Sequence, residues 1–456
     1  VGVLRARAGR RRAPALAAGL LALAAVAGCT EDGDPQPLPP PPAEPVRLTF
    51  GAWGSEQEIV AYADVVEQYN ALNDESQVEL LTWPTADAMR TAIEDGERMP
   101  DVMLSSRDDL AWLLGEELNQ PVDDLLDERG VEFGDGYSRD GLEAFSADAR
   151  LQCMPYGISP MVVFYNTELV DFEKMAAREL PAPDIESDSP RWSFEEFAAA
   201  ADFATRPRRG TRGVHIEPTV EGLAPFVLSG GGGLFNDDAT SLGLSGDGSR
   251  GALETTLELL RDPQLTLTEE QLAKAPALTW FERGKLGMIA GYRSLVPHLR
   301  QVQGLDFDVL PMPVLGSSAT VGNLTGLCLS KQARSRAEAA DFLVHATSTD
   351  SVARVARTGY LAPANLQVAV SDDFLQPGRL PVHAGVFNVA VRAVQELPLI
   401  EDWPALEAAV ATELQQLVTV PVLDDLDERT ERIDELSRQV LDPEAEPSEG
   451  FTPMEN

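Results

Sequence analysis

Residues 151–165 read LQCMPYGISPMVVFY. Two apolar runs flank the stretch Gly157–Pro160, and their composition predicts two β-strands broken there. The segments on either side set the fold class. Val46–Phe50 alternates apolar and polar residues as a strand does. Ser55 and Glu58 then form a capping box, and Ile59, Tyr62, Val66 and Tyr69 recur at helical spacing. Val78–Leu81 reads as a second strand, Thr85 opens a short helix, and Pro100–Leu104 reads as a third strand. Beyond the central stretch, Ser193 and Glu196 cap another helix, Gly230–Gly233 is a flexible run, and Ser249–Arg261 is amphipathic. Gly326–Leu329 is a short apolar strand, Ser335 and Glu338 cap a helix, and Trp403–Leu441 is helical with an interruption near Pro421. Strands alternating with helices predict parallel α/β layering.

The first 45 residues are of another kind. Arg5, Arg7, Arg10, Arg11 and Arg12 precede the apolar run Ala15–Gly28. That run is shorter than the roughly 20 apolar residues a membrane span needs and suits the core of a secretory signal. Val26-Ala27-Gly28-Cys29 resembles the lipobox of bacterial lipoproteins, which implies acylation of Cys29. Residues 29–45 are acidic and proline-rich, as an extended tether would be. Residues 444–456 are expected to be disordered.

The 456 residues carry a formal charge of −38, and cleavage before Cys29 would take it to −43. Nucleic-acid binding depends on neutralising phosphates with Lys and Arg, so this function class is excluded. Four isolated histidines and no CxxC leave a metal site without support, and no cofactor is expected. Gly246–Gly251 fits GxGxxG literally, but the preceding DDATSLGLS is polar and short. It reads as a glycine loop feeding a helix and not as a dinucleotide site. No GxSxG, HExxH or Walker pattern occurs. Carboxylate pairs in a chain with 74 acids carry no information.

Several segments, in order, resemble bacterial extracellular solute-binding proteins of the carbohydrate type (family 1, the maltose-binding-protein kind). They are VRLTFGAWGSEQE, the block from Met99 to Leu126, the central stretch ending at Tyr165-Asn166, RWSFEEFAAAADFAT, WFERGKLGMIAGYRSLVPHLR, FDVLPMPV and GLCLSKQARSRAEAADFLVHATS. The resemblance spans roughly residues 46–442. It implies a two-lobed α/β fold of the periplasmic-binding-protein type (type II), with crossovers near residues 157 and 325. Lobe 1 would comprise 46–156 and 326–375, and lobe 2 would comprise 157–325 and 376–442. It implies no catalysis, a ligand cleft between the lobes, and a monomer on the outer face of the cytoplasmic membrane. Its partners would be a small solute, most simply a sugar or oligosaccharide, and the permease subunits of an ABC importer.

A sugar needs flat aromatic platforms and fixed hydrogen-bonding groups. On that basis the candidates are Trp53 and Glu56 after the first strand, and Ser105, Ser106 and Asp108 after the third. Tyr156 lies at the first crossing, Gly231 and Gly232 allow close approach, Trp280, Tyr292 and Arg293 flank the GKLGM block, and Asn323 precedes the return crossing. The resemblance also sets Cys153 and Cys328 on neighbouring strands, where either a disulfide or two buried thiols would fit. Two other classes remain open: a surface-anchored hydrolase and a two-lobed ligand sensor.

Overall fold

The computed structural model describes residues 44–187, 189–419 and 425–444. The signal and tether expected over residues 1–43 lie outside them, as do Pro421 and the tail from 445.

Ten strands build two sheets: β1 (Val46–Trp53), β2 (Ser76–Trp83), β3 (Val102–Ser106), β4 (Asn119–Gln120), β5 (Cys153–Pro160), β6 (Val162–Asn166), β7 (Arg212–His215), β8 (Leu286–Gly291), β9 (Phe307–Pro311) and β10 (Gly322–Ser330). The helices that frame the site are α1 (Glu56–Leu72), α2 (Ala86–Glu94), α3 (Phe194–Ala204), α4 (Val220–Ser229), α5 (Asp247–Leu260), α6 (Ala277–Glu282), α7 (Arg336–Thr347), α8 (Trp403–Thr419) and α9 (Leu426–Leu441).

The first sheet runs β2-β1-β3-β10-β4, with β5 also paired to β10. The second runs β9-β6-β8-β7. The expected parallel pairing holds for β1 with β2 and β3. It holds also for β7 with β8 and fails at the other pairings: β10 is antiparallel to β3, β4 and β5, and β6 is antiparallel to β8 and β9. The cause is connectivity. β5 and β10 belong to the first sheet but lead directly to and from the second, so one must run outward and the other back.

The break in the central stretch falls later than its composition suggests. β5 continues through Gly157 to Pro160, and the interruption is at Met161, whose amide donates to Val321 O at 2.8 Å. What does occur near Gly157 is a bulge. Thr325 pairs with Gly157 and Gly326 with Pro155, so Tyr156 is the extra residue.

Local chemistry sets the helix starts. Ser55 and Glu58 close a capping box on α1, Thr85 caps α2, and Ser193 and Glu196 close a second box on α3. The apolar face of α1 buries Tyr62, Val65, Val66 and Tyr69 on the first sheet, where the tilted rings of Phe50 and Phe342 have centroids 5.2 Å apart. Full burial of each such side chain is worth about 1.5–3 kcal/mol. In the second lobe Trp192 is buried between Phe172 and Phe197, with its indole N–H donated to Pro311 O at 2.7 Å. Cys153 and Cys328 are directly opposed on β5 and β10 and form a disulfide.

Candidate functional site

The two sheets share one cavity of about 90 Å³. Its floor is the pair of crossing strands, through Gly157, Ile158 and Ser159 on β5 and Asn323 and Thr325 on β10. One wall comes from the first lobe: Trp53 at the end of β1, Glu58 and Tyr62 on the first turns of α1, and Leu104 on β3. The opposite wall has Tyr292 and Ser294 after β8, and Tyr360–Ala362 closes the remaining side.

The first wall is held from behind. The Trp53 indole N–H donates to Leu104 O at 2.8 Å, which fixes the ring plane. Glu58 Oε2 accepts from Ser55 N and Ser55 Oγ, both at 2.9 Å, so one carboxylate oxygen is spent on the helix cap. Burial pushes this carboxyl above its ordinary range. Tyr62 is 3% exposed and packs against Tyr156, with ring centroids 6.2 Å apart. Among the described residues its hydroxyl has no hydrogen-bond partner.

The second wall carries a matched pair. The Tyr292 hydroxyl donates to Glu221 Oε1 at the start of α4. Glu407 on α8 accepts from the amides of Val220 and Glu221 at 3.2 Å each and so anchors that helix start. Burial raises the Glu221 carboxyl, and the negative charges of Asp108 and Glu407 raise it further. Burial followed by Glu221 likewise pushes the Tyr292 phenol well above its usual value.

The sequence-derived candidates divide accordingly. Trp53, Tyr292 and Asn323 line the cavity. Asp108 lies alongside, in a neighbouring pocket of about 250 Å³ that it shares with Arg107, Gly322 and Glu396. Ser106 caps the short turn at Arg107–Asp109, and Ser105 is buried within β3. Glu56 is exposed on the first turn of α1, two residues before Glu58, which lines the cavity from another face of the helix. Tyr156 sits behind Tyr62 because the bulge places it there. Trp280 is half-buried away from the cavity, its indole N–H donated to Gln271 O and Ala275 O at 3.1 Å. Arg293 is wholly buried, bonded to Gly359 O at 2.9 Å and Phe374 O at 3.0 Å.

Gly231 and Gly232 lie away from this cavity, in a groove against α9 that includes Glu428, Asp434 and Arg438. Their glycine identity has a packing reason. Gly231 has φ +86°, and a Cβ on Gly232 would fall 2.5 Å from the Ser249 Cα.

Sequence reading overlooked Tyr62, Ser159, Ser294, Thr325 and Tyr360, and it read Glu58 only as a helix cap. For Glu58 and Tyr62 there was a usable signal: both stand on the first turns of a helix that starts directly after Trp53.

Two α/β lobes joined by crossing strands, with a ring-lined cavity on the crossing, define a two-lobed binding protein. The chain belongs to the bacterial extracellular solute-binding proteins, whose family model matches residues 64–381, more than half of its length. Solved structures with the same fold include a substrate-binding protein of an ABC transporter from Listeria monocytogenes in complex with cycloalternan. It is 16% identical, with a TM-score of 0.71 over 87% of this chain and 98% of that one. A cyclic α-maltosyl-1,6-maltose binding protein from Arthrobacter globiformis is similar, at 16% identity and TM-score 0.69 over 87% and 99% of the two chains. A Thermus thermophilus maltotriose binding protein bound with maltotriose aligns at 16% identity and TM-score 0.65 over 86% and 99%. No curated protein matches the sequence. No helix among the described residues is long and apolar enough to cross a membrane.

Proposed function

We propose that this protein captures an uncharged sugar or oligosaccharide between its lobes and delivers it to the permease subunits of an ABC importer. The observation that carries the reading is the chemistry of the cavity lining. It offers four aromatic rings, several hydroxyls, one amide and one carboxylate, and no Lys, Arg or His. Rings cover the C–H faces of a pyranose, and hydroxyl and carboxylate oxygens meet its hydroxyls. A phosphorylated or carboxylated solute would meet the Glu58 carboxylate with no cation in the cavity lining. The similar proteins, which bind cycloalternan, maltotriose and cyclic α-maltosyl-1,6-maltose, support this class. The lobes are taken as 46–156 with 326–375, and 157–325 with 376–442. Cys29 is taken as the lipid attachment that holds a monomer beside its permease.

A thermal-shift screen of neutral oligosaccharides against sugar phosphates and uronates tests the ligand class. Stabilisation follows RT ln(1 + [L]/Kd), about 2.7 kcal/mol at one hundred times Kd. Neutral sugars should shift the midpoint and be recovered unchanged, whereas a response to the anionic sugars alone would refute the reading. Cys29→Ser should release the protein from the membrane fraction, because two acyl chains give stable anchoring. Equal retention of the variant would refute the anchor.

A further inference from the structure

Immediately behind the cavity, three arginines meet with no carboxylate between them. Arg293 follows Tyr292 in the chain, and its Nε donates to the carbonyl of Gly359, which precedes Tyr360. Both flanking tyrosines line the cavity. Arg300 donates through Nε to Leu380 O and through Nη1 to Gln376 Oε1, each at 2.5 Å. Arg379 Nη1 reaches the same Gln376 oxygen at 3.3 Å. Two guanidinium fans therefore converge on one amide oxygen, and the third lies one peptide group away across Gly359, where a Cβ would stand 3.0 Å from Arg300 Nη1.

The set is incomplete as it stands. Arg293 Nη1 and Arg300 Nη2 are buried and have no hydrogen-bond partner. None of the three arginines has an ion-pair partner among the described residues. Asp373, whose carbonyl accepts from Gln376, has its own carboxylate committed to Arg357 at 2.6 Å. Burial, then the positive charges of Arg300 and Arg379, lowers Arg293 to about 9, and burial and Arg379 lower Arg300 to about 10. A chain of net charge −38 has carboxylates in abundance, yet this corner has none to offer. Unsatisfied donors on buried cations are costly. The rings of Phe374 and Phe387, 4.6 and 5.2 Å from the Arg293 guanidinium carbon, offset part of its charge but offer Nη1 no acceptor; an oxyanion would supply one.

We propose that Arg293, Arg300 and Arg379 form a binding site for a small oxyanion of the phosphate or sulfate type, separate from the solute cleft and directly behind it. The guanidinium fork matches a planar or tetrahedral oxyanion better than a spherical halide. The anion ties the Tyr292–Arg293 turn to the 359–379 segment, so its occupancy stabilises two of the elements that form the cavity wall.

The test is thermal unfolding of the full chain at constant ionic strength, with sodium chloride replaced stepwise by sodium phosphate or sodium sulfate. The wild type should show a saturable rise in midpoint with both oxyanions over the chloride baseline. Arg379→Gln, at an exposed position, and Arg300→Gln should each weaken the apparent affinity about tenfold or more. An unsaturated rise identical in wild type and variants would be a general salt effect and would overturn the site. So would no rise at all. If a variant does not fold, calorimetric titration of phosphate into the wild-type chain decides: saturable heat supports the site, and its absence overturns it.

Discussion

The two walls of the cavity hold their polar groups in opposite ways. On the first-lobe wall, Tyr62 keeps its hydroxyl unpaired among the described residues, and Glu58 spends one oxygen on its helix cap. On the second-lobe wall, Tyr292 and Glu221 satisfy each other and are braced by Glu407. The lobes differ in the same sense at larger scale. The first is stapled by Cys153–Cys328, and the second is held by packing around Trp192. The first wall leaves a tyrosine hydroxyl open for a ligand, while the second pairs its tyrosine with its own carboxylate.

The largest effect should come from removing the staple. Replacing both cysteines by alanine (Cys153→Ala with Cys328→Ala) opens a loop with a sequence separation of 175. The expected loss is about 3–5 kcal/mol, read from denaturant midpoints. A loss near zero would mean that the staple does not distinguish the lobes.

Trp53→Ala should weaken solute binding by about 1–3 kcal/mol, by analogy with stacking platforms for nucleic-acid bases. Trp280→Ala should leave affinity unchanged and lower stability instead, because its indole is bonded to Gln271 O and Ala275 O and its ring packs on the core away from the cavity. Calorimetry on both variants checks the pair, and an affinity loss with Trp280→Ala would misplace the cleft.

The sharpest form of the comparison is a pair of hydroxyl deletions. Tyr62→Phe should be neutral for stability and lower affinity, since it removes a donor that only a ligand can use. Tyr292→Phe should cost about 1 kcal/mol of stability, because Glu221 loses its donor. Unfolding and binding curves on each variant distinguish the two.

A pH-dependent effect concerns a carboxyl buried in the first lobe. Burial pushes the Asp109 carboxyl up to about 6 against the attraction of Arg90. Because the folded value is raised, the associated stability is present below the unfolded value of about 4 and lost as pH rises through about 6. Asp109→Asn should therefore stabilise by about 1–2 kcal/mol at pH 7.5 and by little at pH 4, as urea midpoints at the two pH values would show.

Much of the frame was legible because its determinants are local. Ser55 with Glu58 and Ser193 with Glu196 are capping boxes in the structure as in the sequence. Alternation in Val46–Phe50 located β1. What escaped depends on register and distant partners. The antiparallel return of β10 follows from a pairing between residues 153–160 and 322–328. The bulge moves Tyr156 behind Tyr62, and no property of the tyrosine itself signals that. Arg293 and Trp280 carry the right chemistry for a ligand, but carbonyls at Gly359, Phe374, Gln271 and Ala275 claim them first. Arg107, which donates to Glu396 at 2.9 Å near Asp108, lacked any local cue.

The crossing strands have one more implication. Residues 157–159 and 323–325 are both the floor of the cavity and the bridge between the sheets, with the bulge at their edge. Mutational drift therefore cannot change what the floor recognises without also changing how easily the bridge bends. A lineage adapting to a new nutrient would find the freer route in the walls, at positions such as 62, 294 and 360, and leave the floor alone.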